Sequence, residues 1–316
     1  GEAGQATAAG QAAFPVTVTD CGGRETTYEK PPERVFALDD WAADLLVVLG
    51  LQDRMVAYAR YLEGDRVWAE YRDELLAIEA VTGEGSNYPA LEAVVALSPD
   101  FVVSVFDSAF AESSGLPDRD GWAEFGASAY QTLGDCEAAG TVFSDFSSLF
   151  LDLRQLGQIF GVPDRAEEVI AGIEQRLDAV AERIEGRPVV TMMSYSGEED
   201  PFPAGGSGIP NAVMTLAGVE NVFADLLEPY VTVSWEEVVN RDPDVIWVMT
   251  DAGGDLGFID EEQGIKDKLL ADTRVADMTA VNEQAFVTVS FDSSGVSTPR
   301  NIDALEHMVG QLEALR

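Results

Sequence analysis

Ala90-Leu91-Glu92-Ala93-Val94-Val95-Ala96-Leu97-Ser98-Pro99-Asp100-Phe101-Val102-Val103 lines up without a gap against Ser234-Trp235-Glu236-Glu237-Val238-Val239-Asn240-Arg241-Asp242-Pro243-Asp244-Val245-Ile246-Trp247, at a constant offset of 144 residues (90 on 234, 103 on 247). Each copy reads as a short helix, a Pro-Asp break and a run of buried-strand residues. Each places a glutamate, Glu92 or Glu236, at the same point of the helix. A unit used twice at this separation predicts two similar lobes, and helix alternating with strand predicts parallel sheets with helices on their faces.

Length and composition agree with that division. The chain has 316 residues, 46% of them hydrophobic, enough for two cores. No apolar run reaches the roughly 18 residues of a membrane span. The first 13 residues lack the basic and apolar regions of a signal peptide and read as a flexible tether. With 57 acidic against 19 basic residues the net charge is −38, which disfavours nucleic acid and anionic membrane as partners. Most of these carboxylates read as a solubilising surface, and only a few positions call for a basic partner. The two cysteines, Cys21 and Cys136, form no metal or redox motif. Either they pair, in an extracytoplasmic setting, or they are two unrelated buried thiols.

The spacing predicts boundaries at 14–143 for an N-terminal α/β lobe, 144–161 for a linking helix and 162–316 for a C-terminal α/β lobe. In the first lobe, strands are expected over 35–38, 55–58, 101–106 and 129–132. Helices are expected over 41–49, 66–78, the first glutamate segment and 122–125. Phe146, Leu149, Phe150, Leu153, Leu156, Ile159 and Phe160 recur in steps of three and four, a strong amphipathic helix that ends at Gly161-Val162-Pro163. A second helix carries Ala166, Val169, Ile170, Ile173, Leu177, Val180 and Ile184 on one face. Beyond it, strands are expected over 189–193, 245–249 and 286–289, with a Gly-rich loop at 204–208, a helix from Pro210 and a last helix over 300–315.

Several segments together resemble a known family. Val18-Thr19-Asp20-Cys21-Gly22-Gly23-Arg24 with Pro32-Glu33-Arg34-Val35 resembles the opening of ABC-transporter substrate-binding proteins of the iron-siderophore and cobalamin type, the class III periplasmic binding proteins. The stretch 45–50 followed by Leu51-Gln52-Asp53-Arg54-Met55-Val56, the two glutamate helices and the long helix ending Gly161-Val162-Pro163 are similar to that family too. The resemblance implies two Rossmann-like α/β lobes joined by a rigid helix, with a ligand cleft between them. It further implies a periplasmic or lipid-anchored protein that hands a metal chelate to an ABC permease dimer. By the same resemblance Glu92 and Glu236 dock onto arginines of the permease, and Glu237 could share that role. The alternative is that they are ordinary solvated charges near helix N-termini.

In open α/β sheets ligands meet the loops at the carboxyl ends of strands. That rule selects Trp41, Arg60, Tyr61, Tyr88 and Asp107 from the first half, with Asp39 and Asn87 beside them, and Tyr195, Trp235, Phe291 and Arg300 from the second. Recurring aromatics suit a bulky, partly apolar ligand, although each alone could be core. Arg60 and Arg300 could pair with an anionic chelate or with neighbouring carboxylates. The single histidine, His307, argues against a bare-metal site, so a metal would arrive chelated. No nucleophile, zinc-protease or P-loop motif is present, and Gly205-Gly206-Ser207-Gly208 lacks the lysine of a phosphate loop.

The expectation is therefore a monomeric, extracytoplasmic binding protein without cofactor or resident metal. Its cargo is a ferric siderophore, with cobalamin or haem as the alternative. A secreted hydrolase using carboxylates is the alternative of another class.

Overall fold

The computed structural model describes residues 14–62, 66–81, 88–134, 145–250 and 262–315. Among the described residues are eleven strands in three sheets. Strands β1 (Val16–Thr19) and β2 (Glu25–Tyr28) form an antiparallel hairpin. Strands β3 (Val35–Ala37), β4 (Met55–Ala59), β5 (Ala80–Val81), β6 (Phe101–Ser104) and β7 (Ser128–Gln131) form a parallel sheet of order β5-β4-β3-β6-β7. Strands β8 (Val190–Tyr195), β9 (Val219–Asn221), β10 (Val245–Thr250) and β11 (Phe286–Ser290) form a second parallel sheet of order β11-β10-β8-β9.

The two sheets share one winding pattern. In each, the first strand lies beside the second on one side and beside the repeat-derived strand, β6 or β10, on the other. The chain thus reverses direction of travel at β3/β6 and at β8/β10. Their carboxyl ends are the topological switch points at which such sheets leave a crevice.

The repeat is carried through to backbone detail. Its helices are Leu91–Ala96 and Trp235–Arg241, and its strands begin at Phe101 and Val245, equivalent positions in both cases. The break between them takes a positive φ at equivalent residues, 48° at Ser98 and 40° at Asp242. The aspartate after each proline then anchors the neighbouring strand. Asp100 accepts from the backbone N–H of Glu33 and Arg34 just before β3, and Asp244 accepts from the N–H and hydroxyl of Thr191 in β8. These charge-assisted bonds account for a Pro-Asp pair in both copies.

The chain divides into two compact units. Among the described residues, one holds 14–60, 69–134 and 150–172, and the other 61–68, 145–149 and 173–315. The assignment changes within the helix Ser147–Phe160 and again within the helix Pro163–Ile184. The two helices approach closely in the first unit, where a Cβ on Gly157 would stand 2.7 Å from Ala166 Cβ, so only glycine fits there.

One helix is much shorter than its sequence pattern. Instead of a helix over 66–78 there is a 3-10 turn at Ala69–Tyr71 and a helix at Arg72–Ala77. Arg66 and Trp68 are taken out of it by tertiary bonds of the second unit. The Arg66 guanidinium donates to both oxygens of buried Asp292 (2.7 and 3.0 Å), and Trp68 Nε1 donates to Asp303 at 2.9 Å.

The Gly-rich loop is structural. Gly205 N–H donates to Pro229 O and Gly206 N–H to Leu226 O. Asn221 Nδ2 donates to the carbonyls of Ala204 and Gly205. The backbone of 224–228 lies against both glycines, leaving no room for a side chain or a phosphate between them. Cys21 is buried and is not a free thiol. Cys136, its expected partner, and the 1–13 tether lie outside the described residues. Thiol titration of unfolded protein purified without reductant is expected to find no free thiol, and two free thiols would refute the pairing.

Candidate functional site

At the carboxyl end of β3, Asp39 caps the helix Asp40–Val48 by accepting from Ala42 N–H at 2.7 Å. It also accepts from the Ser104 hydroxyl and Val105 N–H at the end of β6, so one buried carboxylate ties both sides of the first switch point. Burial pushes its carboxyl up to about 6 against these three donors, and nearby Asp44 adds to the rise. Next to it Trp41 meets Phe106 edge-to-face, ring centroids 5.3 Å apart. Tyr88 is buried with its hydroxyl 2.7 Å from that of Ser108, and Asp107, half-buried, opens the turn between them. Asn87 lies outside the described residues.

Arg60 follows β4. Its Nε donates to the Tyr58 hydroxyl (2.6 Å), and its Nη2 donates to the carbonyls of Leu75 and Ile78. The guanidinium also lies 4.9 Å from the centre of the Tyr58 ring. Much of its donor capacity therefore goes to its own unit.

In the second unit Tyr195 ends β8 and meets Trp235, the first residue of the second glutamate helix, at 5.3 Å between centroids. The loop after β8 is tied to both rings, since the Tyr195 hydroxyl donates to Glu198 O (2.8 Å) and Trp235 Nε1 to Glu199 O (2.9 Å). Phe291 opens the turn after β11 and covers Gly295, where a Cβ would collide with its ring. Arg300 is only 4% exposed and donates Nη1 to Arg66 O at 2.8 Å. Tyr61 is half-buried in the same unit. The structure thus brings together Tyr195 with Trp235, and Arg300 with Arg66. Arg60 and Arg300 belong to different units, each engaged within its own.

The docking candidates differ from these in exposure. Glu92 and Glu236 are both exposed in the first turns of their helices, and neither makes an ion pair among the described residues. Glu237 is half-buried and paired with Arg241 at 2.8 Å. That separates Glu236 from its neighbour, which the sequence did not do.

Sequence reasoning passed over three features. Arg66 with Asp292 had no local signal. Phe202, stacked on Tyr230 at 5.5 Å and 20°, did have one, because it stands between Pro201 and Pro203. Asp152 had one also. It falls on the buried stripe of its helix, where it accepts from the Tyr130 hydroxyl (2.7 Å) and Leu133 N–H (3.0 Å). Burial pushes Asp152 up to about 7, a rise its hydrogen bonds only partly offset.

These buried acids set a pH dependence. Asp39 and Asp152 hold a proton more tightly folded than unfolded, so their contribution to stability grows as pH falls from about 8 through 7 and 6 toward 4. Glu306 and Glu313, lowered by Arg176 and by Arg183 and Arg187, lose theirs only at still lower pH. Tm is expected to rise between pH 8 and pH 5, with Asp152 contributing on the order of 3 kcal/mol over that span and Asp39 about 1 kcal/mol. Asp152→Asn should flatten that slope, and a Tm falling steadily from pH 8 to 5 would contradict the assignment.

Among the described residues no cluster of three or more His, Cys, Asp or Glu is placed to hold a metal ion, and no helix is long and apolar enough to cross a membrane. The sequence model of the periplasmic binding protein family matches residues 35–292. A vitamin B12-binding protein of Vibrio parahaemolyticus is 26% identical over 235 residues, covering 74% of this chain and 76% of that protein. Among solved structures, a periplasmic binding protein from Veillonella parvula matches with a TM-score of 0.81 at 22% identity, over 96% of this chain and 99% of that one. An ABC-type Fe3+-hydroxamate transport protein from Saccharomonospora viridis matches with a TM-score of 0.77 at 25% identity, over 95% and 99%. The chain belongs to the periplasmic binding protein family, and is a substrate-binding transport protein rather than an enzyme.

Proposed function

We propose that this protein is the extracytoplasmic solute-binding component of an ABC importer, and that it captures a chelated metal compound, a ferric siderophore first of all. The observation that carries the reading is the likeness to the Fe3+-hydroxamate transport protein along nearly the whole of both chains. The residues support it. Both switch points carry packed, largely buried aromatic pairs beside a few fixed polar groups, a composition that suits a bulky, partly apolar ligand. Trp41, Arg60, Tyr61, Tyr88 and Asp107, with Tyr195, Trp235, Phe291 and Arg300, are the proposed ligand-facing set. Cobalamin is the second reading, favoured by the relative from Vibrio parahaemolyticus. The protein acts as a monomer, free in the periplasm or lipid-anchored outside the membrane, and delivers to a permease dimer through Glu92 and Glu236.

Trp41 and Trp235 lie at the carboxyl edges of their sheets, so tryptophan emission reports on binding. Titration with a ferric hydroxamate, a ferric catecholate, haem and cyanocobalamin is expected to give saturable quenching with at least one. A flat response to all four contradicts the reading.

A further inference from the structure

At the second unit's switch point one aromatic pair is presented outward. Phe202 is 36% exposed, yet its backbone is tightly held. Pro201 and Pro203 restrict the chain on either side. Their carbonyls accept from Val233 N–H (3.0 Å) and Val231 N–H (3.1 Å). Tyr230, on which Phe202 stacks, points its hydroxyl at Met249 Sδ (3.9 Å) near the carboxyl end of β10. A large flat ring fixed in place and left partly open has the rigidity that a preformed contact face needs.

Its surroundings are acidic. Glu198, Glu199 and Asp200 come just before the pair in the chain, and Glu199 and Asp200 are exposed. Glu198 Oε2 accepts from Ser196 N–H at 3.2 Å, while its Oε1 is buried with no hydrogen-bond partner among the described residues, an acceptor open to an outside donor. Two cations lie close by and offset part of this charge, each already holding partners. Lys268 donates to the carbonyls of Gly197 and Glu198, and Arg274, which bears on Asp200, is held by both oxygens of Asp272.

We propose that Phe202 and Tyr230, set beside Glu198, Glu199 and Asp200, form a contact face for an uncharged or cationic chelate carrying hydrogen-bond donors, and that this face discriminates against polyanionic chelates. The inference rests on the substrate-binding reading above and narrows it by charge. A ferric tris-hydroxamate is neutral and cyanocobalamin is neutral and rich in amides, whereas a ferric tris-catecholate carries three negative charges into a field that opposes it.

Calorimetric titration of the full chain at low ionic strength with these three probes tests it. The neutral probe that binds best should bind at least about tenfold tighter than the tris-catecholate. Phe202→Ala should weaken it about tenfold with Tm unchanged, and Phe202→Leu, which keeps the apolar bulk, should weaken it too. Glu199→Gln with Asp200→Asn should tighten the tris-catecholate severalfold and leave the neutral probes alone. A tris-catecholate bound as tightly as the neutral probes overturns the charge argument while leaving the transport reading intact. Unchanged affinity in both Phe202 variants overturns the contact face. Failure of the wild type to bind any probe overturns the transport reading and this inference with it.

Discussion

The double variant Glu92→Ala/Glu236→Ala is expected to lose ligand uptake in cells while binding ligand as tightly as the wild type. Both carboxylates are exposed on helices at equivalent points of the repeat, and neither is engaged by a cation among the described residues. A charged hydrogen bond to an arginine across an interface contributes about 1.5 to 3 kcal/mol, so removing two of them should weaken docking by a factor on the order of 100 or more. Each single variant should fall between. Glu237→Ala is the internal control, because that carboxylate is paired with Arg241 of its own helix. Unchanged uptake in the double variant, or an equal loss in Glu237→Ala, would remove the docking assignment.

Gly206→Ala carries the second large effect, on folding rather than delivery. A Cβ at this position would overlap the backbone carbonyl of Ala224, and Gly206 N–H is bonded to Leu226 O on the same strip of chain. Backbone cannot swing aside as a flexible side chain can, so about 3 kcal/mol or more of destabilisation is expected, a fall in Tm of about 6 to 12 °C. Gly172→Ala is the contrast, since a Cβ there meets nothing. It lies inside the helix Pro163–Ile184, where alanine is the better helix former. If Gly206→Ala instead kept its Tm and lost only ligand affinity, the loop would be a binding loop and its structural reading would fail.

The repeat was legible because it is local. A helix start, a proline-aspartate break and a strand start recur at matching positions, and the structure places the elements there. The helix expected over 66–78 was misjudged because its first residues answer to distant partners, Asp292 and Asp303, which no window of sequence contains. β5 and β9, with 2 and 3 residues, are too short for periodicity to register.

The site divides the same way. Strand-end loops follow from the order of elements, so the placement of Trp41, Tyr195 and Trp235 at the carboxyl edges of the sheets could be read without coordinates, while their part in binding is a proposal. Engagement could not. That Arg60 is tied to Tyr58 and two carbonyls, and that Phe202 is pinned between prolines yet open, depends on what the fold brings near them. Asp152 could have been found, because a carboxylate on the apolar stripe that carries Leu149, Leu153 and Leu156 must be buried with its partners.

The most direct test is native mass spectrometry of the purified chain with a neutral ferric tris-hydroxamate and, separately, cyanocobalamin. A binding protein for a chelated metal predicts an adduct of one intact chelate per chain, metal and chelator together, with at least one of the two. No adduct with either, or uptake of iron stripped of its chelator, would contradict it.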